Sequence, residues 1–152
     1  MIEYRTMVAN DVSQVAQLEI ESFSYPWSEK SISGELTNPL SLWIVAVAED
    51  RVVGYIGSQS VLGEADMMNV AVSEEFRNQG IGRTLIETLV SMLREKQVYC
   101  ITLEVRASNA PAIHLYESIG FTQVGRRPNY YSAPKEDALI LKKEWECENP
   151  GN

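Results

Sequence analysis

Val70-Ala71-Val72-Ser73-Glu74-Glu75-Phe76-Arg77-Asn78-Gln79-Gly80-Ile81-Gly82-Arg83 is the stretch on which the reading of this 152-residue chain turns. It reads as a β-strand, a short polar turn, a glycine-spaced loop and the opening of an amphipathic helix. Such a junction leaves backbone N–H groups without intrahelical partners at the positive end of a helix, where phosphate is well accommodated. Gly80 and Gly82 carry no Cβ to hold a pyrophosphate at a distance. The spacing is neither the G-x-G-x-x-G of a dinucleotide fold nor the G-x-x-x-x-G-K-[ST] of a P-loop, which argues against NAD and ATP. A glycine pair alone would be no more than a helix entry. The strand before it, Arg77 and the helix after it together point to a phosphate-bearing ligand.

Outward from this junction, the helix that follows Gly82 carries Leu85, Ile86, Leu89, Met92 and Leu93 on one stripe, the pattern of a helix packed on a sheet. Cys100 to Val105 is the next strand. Asn109 caps a helix with Pro111 in its first turn and Gly120 just past its end. Phe121–Val124, a loop bearing Tyr130 and Tyr131, and Ala138–Leu141 form an antiparallel close. Toward the N-terminus, Ile2–Met7 reads as a strand, followed by a helix capped by Asn10 or Asp11 with Val12, Val15, Ala16, Ile20 and Phe23 on one face. Tyr25-Pro26-Trp27 interrupts it, and Ser28 caps a shorter helix reaching about Leu36. Leu42–Ala48 and Val52 to about Leu62 are strands joined by a turn at Glu49-Asp50-Arg51, and Gly54 and Gly57 weaken the second. A meander followed by alternating helices and strands implies an α/β fold with a mixed sheet, and the unit from Met68 to Val105 is expected to be a right-handed parallel crossover.

The composition fits one folded domain, with 45% hydrophobic residues and a net charge of -8. No basic cluster exceeds Arg126-Arg127 or Lys142-Lys143, which argues against nucleic acid as a direct partner. A basic peptide or protein substrate suits the sign of the charge, as does ordinary solubility. The opening Met1-Ile2-Glu3-Tyr4-Arg5 has no apolar signal core and no apolar run is long enough for a membrane span. Two cysteines, Cys100 and Cys147, and one histidine, His114, point to a reducing cytoplasm and to no metal. Neither cysteine has an activating neighbour, which argues against an acyl-cysteine intermediate.

The R-x-x-G-x-G arrangement from Arg77 to Gly82, after a V-A-V strand, resembles the acetyl-CoA motif of the GNAT N-acetyltransferases. Leu103-Glu104-Val105-Arg106-Ala107-Ser108-Asn109 and Leu115-Tyr116-Glu117-Ser118-Ile119-Gly120-Phe121 resemble, more specifically, the RimI-type ribosomal-protein-alanine N-acetyltransferases. The likeness runs from the first strand through Tyr131. It implies the acyl-CoA N-acyltransferase fold, with a mixed sheet of six to seven strands and about four helices. A single domain is expected over residues 1–145, with a disordered tail at 146–152. The implied activity is direct transfer of acetyl from acetyl-CoA to the N-terminal alanine of the small-subunit ribosomal protein numbered eighteen. Asn129-Tyr130-Tyr131 adds to that reading. Other protein N-termini or small amines are the alternative acceptors, and a non-catalytic acyl-CoA-binding module is a third reading that Glu104 and Tyr116 oppose.

On its strand, Glu104 points away from Ile101, Leu103 and Val105, together with Thr102. Burial there would raise its pKa and suit a general base, but a rim carboxylate paired with Arg106 or Arg83 reads equally well. The resemblance implies the base. Tyr116 shares a helix face with Ala112, Ile113 and Ile119, as a core aromatic would. The resemblance makes it the acid that protonates the leaving thiolate, for which a phenol titrating at about 10 is suited. It further implies a cofactor site from Val70, Ala71, Val72, Arg77, Asn78, Gln79, Gly80, Ile81, Gly82 and Arg83, with Asn109 adding a contact to its N-cap role. His114 lies on another helix face and reads as surface. Tyr25, Trp27, Tyr130 and Tyr131 are either loop packing or the walls of a peptide entry.

Overall fold

A computed structural model describes residues 1–147, so most of the expected 146–152 tail lies outside the described residues. The strands are β1 (Ile2–Thr6), β2 (Ser41–Ala48), β3 (Arg51–Val61), β4 (Glu64–Val72), β5 (Cys100–Arg106), β6 (Thr122–Ser132) and β7 (Lys135–Glu144). The α-helices are α1 (Val12–Ser22), α2 (Glu29–Glu35), α3 (Ile81–Glu95) and α4 (Ala110–Ile119). The strands are hydrogen-bonded in the order β1-β2-β3-β4-β5-β7-β6. β4 pairs with β5 in parallel, Glu64–Asp66 against Cys100–Thr102, while β1–β2, β2–β3, β5–β7 and β6–β7 are antiparallel. The mixed sheet and the parallel connection through α3 are those expected from the sequence.

The chain forms two compact units. The first comprises Met1–Gln59 and Met68–Met92, the second Ser60–Met67 and the chain from Leu93 onward. In the first, Val15, Ile32, Trp43, Val45 and Tyr55 belong to one buried cluster, with Phe23, Trp27 and Met68 packed against it. The Trp43 ring lies on Gly57, where an added Cβ would stand 2.5 Å from the indole. That close approach is why a glycine sits inside β3. Ser28 caps α2 by accepting the Ser31 N–H at 3.0 Å, an interaction worth about 1 kcal/mol.

α1 departs from the expected face. Ile20 is 61% exposed, and Leu18 and Glu19 are buried instead. After Val12, Val15 and Ala16, the inward position one further turn on is residue 19, and the apolar Ile20 lies beside it on the solvent edge. Neither Asn10 nor Asp11 caps α1 with its side chain. Asp11 turns back to accept the Val8 N–H at 2.8 Å and two bonds from Arg5.

In the second unit, Ile101, Leu103 and Val105 of β5 are buried, while Thr102 and Glu104 are half-buried on the other face. Asn109 caps α4 by accepting the Ala112 N–H at 3.3 Å, Pro111 lies in the first turn and Gly120 closes it. The closing hairpin is longer than expected. β6 runs unbroken to Ser132, so Tyr130 and Tyr131 lie on a strand rather than in a loop. A register irregularity between Arg127 and Tyr131, with Asn129 at φ 55°, breaks the alternation that reveals a strand in sequence. Just past β7, the Trp145 N–H donates to Tyr99 O, and the Trp145 indole and Cys147 thiol both reach Val98 O.

Candidate active site

In the first unit, β4 ends at Val72 and a 3-10 turn, Glu74–Phe76, leads into the exposed loop Arg77–Gly80. Asn78 and Gly80 both take positive φ, 63° and 79°. Helix α3 starts at Ile81, earlier than expected, so Gly82 lies within its first turn. Gly80 O accepts both the N–H and the hydroxyl of Thr84, each at 3.0 Å. The N–H groups of Ile81, Gly82 and Arg83 therefore precede the first intrahelical bond and face out of the helix end. Apart from its chain neighbours, no atom of the described residues lies within 4 Å of the place a Cβ on Gly80 would occupy, so the outer side of the loop is open. This cradle fits a phosphate-bearing ligand. The Arg77 side chain folds back, its Nε donating to Val72 O at 3.2 Å, and Arg83 lies 3.7 Å from Glu87.

Two of the expected acceptor-wall residues also belong to this unit. Tyr25 is 72% exposed. Trp27 is half-buried, edge-on to Trp43 at 5.4 Å between ring centroids, and its backbone N–H donates to Glu19.

In the second unit, the side chain of Glu104 is 28% exposed and its two oxygens differ. Oε1 lies 3.5 Å from Arg127 Nε, whereas Oε2 is buried without a hydrogen-bond partner among the described residues. Of the rim partners considered from sequence, Arg106 is turned elsewhere. Arg106 is taken by Glu136 and by the carbonyls of Ala133 and Pro134. β7 lies between β5 and β6, and Arg127 reaches Glu104 across it.

Tyr130 and Tyr131 meet edge to face, centroids 5.1 Å apart. Arg127 stacks over the Tyr130 ring at 5.6 Å and Arg106 over the Tyr131 ring at 4.3 Å. Hydrogen bonding to Glu104, with burial second, pushes the Tyr130 phenol up. Burial first, then the Glu104 charge, does the same to Tyr131. Burial and the Glu104 and Glu64 charges raise Asp66, which pairs with Thr102 of β5. Both tyrosines therefore feel the charge of the carboxylate that the sequence singled out.

Tyr116 is buried, edge-on to Phe121 at 5.6 Å, and its phenol is pushed up to about 12 by burial and then by Tyr131. It holds its proton throughout the neutral range. His114, two residues away, is exposed. Burial raises the Cys100 thiol, which disfavours a reactive thiolate there.

The family model for the acetyltransferase (GNAT) family matches residues 12–121, spanning both the open loop and Tyr116. The chain belongs to the GNAT acetyltransferase family. Among its GNAT relatives, the ribosomal protein bS18-alanine N-acetyltransferase of Salmonella typhimurium is 41% identical over 133 residues, 86% of this chain and 89% of that protein. The crystal structure of the ribosomal-protein-S18-alanine N-acetyltransferase from Escherichia coli aligns over 100% of this chain and 99% of its own. Its TM-score is 0.89 and its identity 32%. Ard1 from Thermoplasma volcanium is similar at TM-score 0.86 and 26% identity, covering 95% of this chain and 98% of that one. As a GNAT acetyltransferase the chain is an acyltransferase that uses acetyl-CoA.

Two residues of this GNAT chain escaped the sequence reading. Arg127 beside Glu104 needed the strand order β5-β7-β6, which no local pattern announces. Glu19 had a signal in its spacing: it stands three, four and seven residues after Ala16, Val15 and Val12, on the apolar stripe.

Proposed function

We propose that this chain transfers acetyl from acetyl-CoA to the α-amine of the N-terminal alanine of ribosomal protein bS18, in the cytoplasm where that protein is made. The relatives named for this activity support the acceptor, over most of their own length. The observation that carries the chemistry is Glu104, with one buried oxygen lacking a partner among the described residues, next to tyrosines that keep their protons. A carboxylate not consumed by its own fold has capacity to accept a proton.

Backbone groups of Val70, Ala71 and Val72 hold the pantetheine arm, with Asn109 as a further contact, and the N–H groups from Asn78 to Arg83 hold the pyrophosphate. Because the Arg77 side chain is tied to Val72, it shapes the loop rather than reaching outward. When bound, acetyl-CoA supplies the acetyl group as a thioester. Glu104 takes a proton from the acceptor's α-ammonium, a mild task since a free α-amine titrates at about 7.7–8.0. Tyr116 keeps its proton at Oη until sulfur leaves, then gives it to the thiolate. Tyr25, Trp27, Tyr130 and Tyr131 wall the acceptor.

The test compares initial rates on peptides beginning Ala-Arg and Met-Glu and on an internal-lysine peptide, at low and high ionic strength. The Ala-Arg peptide is expected to be fastest. Its advantage should shrink with salt, because the net charge of -8 attracts the basic second residue. Equal rates on all three, or activity on spermidine alone, would overturn the acceptor assignment.

A further inference from the structure

Glu19 is the one glutamate of α1 on the apolar face, and it is completely buried. Its Oε1 accepts the Trp27 N–H at 2.8 Å and Asn69 Nδ2 at 3.0 Å. Its Oε2 accepts Asn69 Nδ2 at 3.0 Å and the Tyr55 hydroxyl. These donors lie 8, 36 and 50 residues away in sequence, on a loop, on β3 and on β4. All are neutral, so the bonds offset the desolvation of the carboxylate without a cation. A hydrophobic side chain of similar size would fill this position at lower cost in a core valued only for stability.

What the carboxylate adds is acceptor capacity aimed at one exposed segment. Pro26 has no N–H, and the next backbone donor along the chain, that of Trp27, is spent on Glu19. Asn69, the second partner, immediately precedes Val70 in β4. Glu19 thus fastens the segment carrying Tyr25 and Trp27 to the strand that leads into the cofactor loop, all inside the first unit.

We propose that Glu19 is a positioning residue for the acceptor: its buried carboxylate fixes the Tyr25–Trp27 segment relative to β4, and so sets acceptor affinity without touching substrate. This rests on the reading that Tyr25 and Trp27 wall the acceptor. Releasing the Trp27 N–H loosens the wall and leaves the phosphate cradle at Gly80 in place.

The experiment uses the full chain with acetyl-CoA and an Ala-Arg peptide. Glu19→Ala removes the acceptor oxygens. Glu19→Asp keeps the buried charge but draws it back from Trp27, and decides the matter if the alanine variant does not fold. Glu19→Gln retains a carbonyl oxygen for Trp27. In the alanine and aspartate variants the peptide KM should rise about ten-fold, with kcat changing much less. The calorimetric Kd for acetyl-CoA should stay within about two-fold in these variants, while Glu19→Gln restores most of the peptide KM. Hydrogen exchange at the Trp27 amide should accelerate in step with KM. An unchanged peptide KM, a parallel loss of acetyl-CoA affinity, or failure of both variants to fold would each overturn the proposal. If wild type does not acetylate the Ala-Arg peptide, the acceptor reading fails instead, a result separable from any effect of Glu19.

Discussion

Glu19 and Glu104 are both carboxylates on secondary structure beside aromatic hydroxyls, yet their surroundings are opposite. Glu19 is completely buried, with both oxygens engaged by neutral donors drawn from the loop, β3 and β4. Glu104 keeps 28% of its side chain exposed, has a cation at 3.5 Å from one oxygen, and has a buried second oxygen without a partner among the described residues. Saturated acceptors fix geometry, because accepting a proton would break bonds already made. An unsaturated acceptor can take a proton at little structural cost. A buried carboxylate's role follows from how many of its lone pairs the fold has already used.

The largest effect expected from this contrast is at Glu104. Glu104→Gln preserves shape and removes the base, so turnover at neutral pH should fall about 10²–10⁴-fold while acetyl-CoA affinity changes little. Activity should partly recover at high pH, where the acceptor amine deprotonates unaided. Thermal stability should move little, since the 3.5 Å pairing with the exposed Arg127 contributes little and the amide of glutamine still accepts from Tyr130. Steady-state kinetics at pH 7 and pH 9 with a melting curve checks all three. Full turnover at pH 7 would place Glu104 with Glu19 among the structural carboxylates.

Tyr116 extends the contrast to the acid. Tyr116→Phe should cost about 10²-fold in kcat, the lower end for loss of a general acid, and leave the acceptor KM near wild type. Burial holds the wild-type phenol's pKa up to about 12. Its deprotonation therefore contributes no descending limb to kcat/KM below that pH. A descending limb near pH 10 that vanishes in Tyr116→Phe would show that the phenol titrates as if exposed.

Glu19 gives the mirror image in stability. Glu19→Ala leaves the Trp27 N–H, the Asn69 amide and the Tyr55 hydroxyl without their acceptor, and one such orphan alone costs about 1–3 kcal/mol. Denaturant unfolding should show a loss of at least about 2 kcal/mol, larger than for Glu104→Gln. Equal losses in the two variants would erase the distinction between saturated and unsaturated carboxylates.

The same contrast explains what was legible in the sequence. β5 and α4 were readable because their signals are local: alternation along Cys100–Val105, a capping Asn109, Pro111 in the first turn and a terminating Gly120. Glu104 stood out because a carboxylate inside a central strand is normally avoided. Glu19 did not, because its partners lie up to 50 residues away, and the apolar Ile20 beside it was taken as the inward residue. Tyr130 and Tyr131 were given to a loop because the irregularity after Arg127 disguises the strand. Local pattern announces elements; the satisfaction of a buried acceptor is known only once distant strands are side by side.

Asp11 supplies the smallest and most selective check, as a carboxylate saturated by a cation. It accepts Arg5 Nη1 at 2.7 Å, Arg5 Nη2 at 2.9 Å and the Val8 N–H at 2.8 Å. Burial pulls its pKa up, but these bonds and the Arg5 charge outweigh burial and hold it below the ordinary 3.8. A folded-state pKa below the unfolded one means stability that is fully present above the unfolded value. That stability is lost as pH falls through the folded value. Asp11→Asn should therefore destabilise by about 1 kcal/mol at pH 7, and the gap from wild type should close as the pH is lowered beneath the ordinary 3.8. Other carboxylates depressed in the fold, such as Glu35, titrate in both proteins and cancel in the difference. Urea midpoints for the pair at several pH values decide it. A gap that stays constant down to pH 2 would mean that Asp11 acts through shape rather than charge, as Glu19 does with its neutral donors.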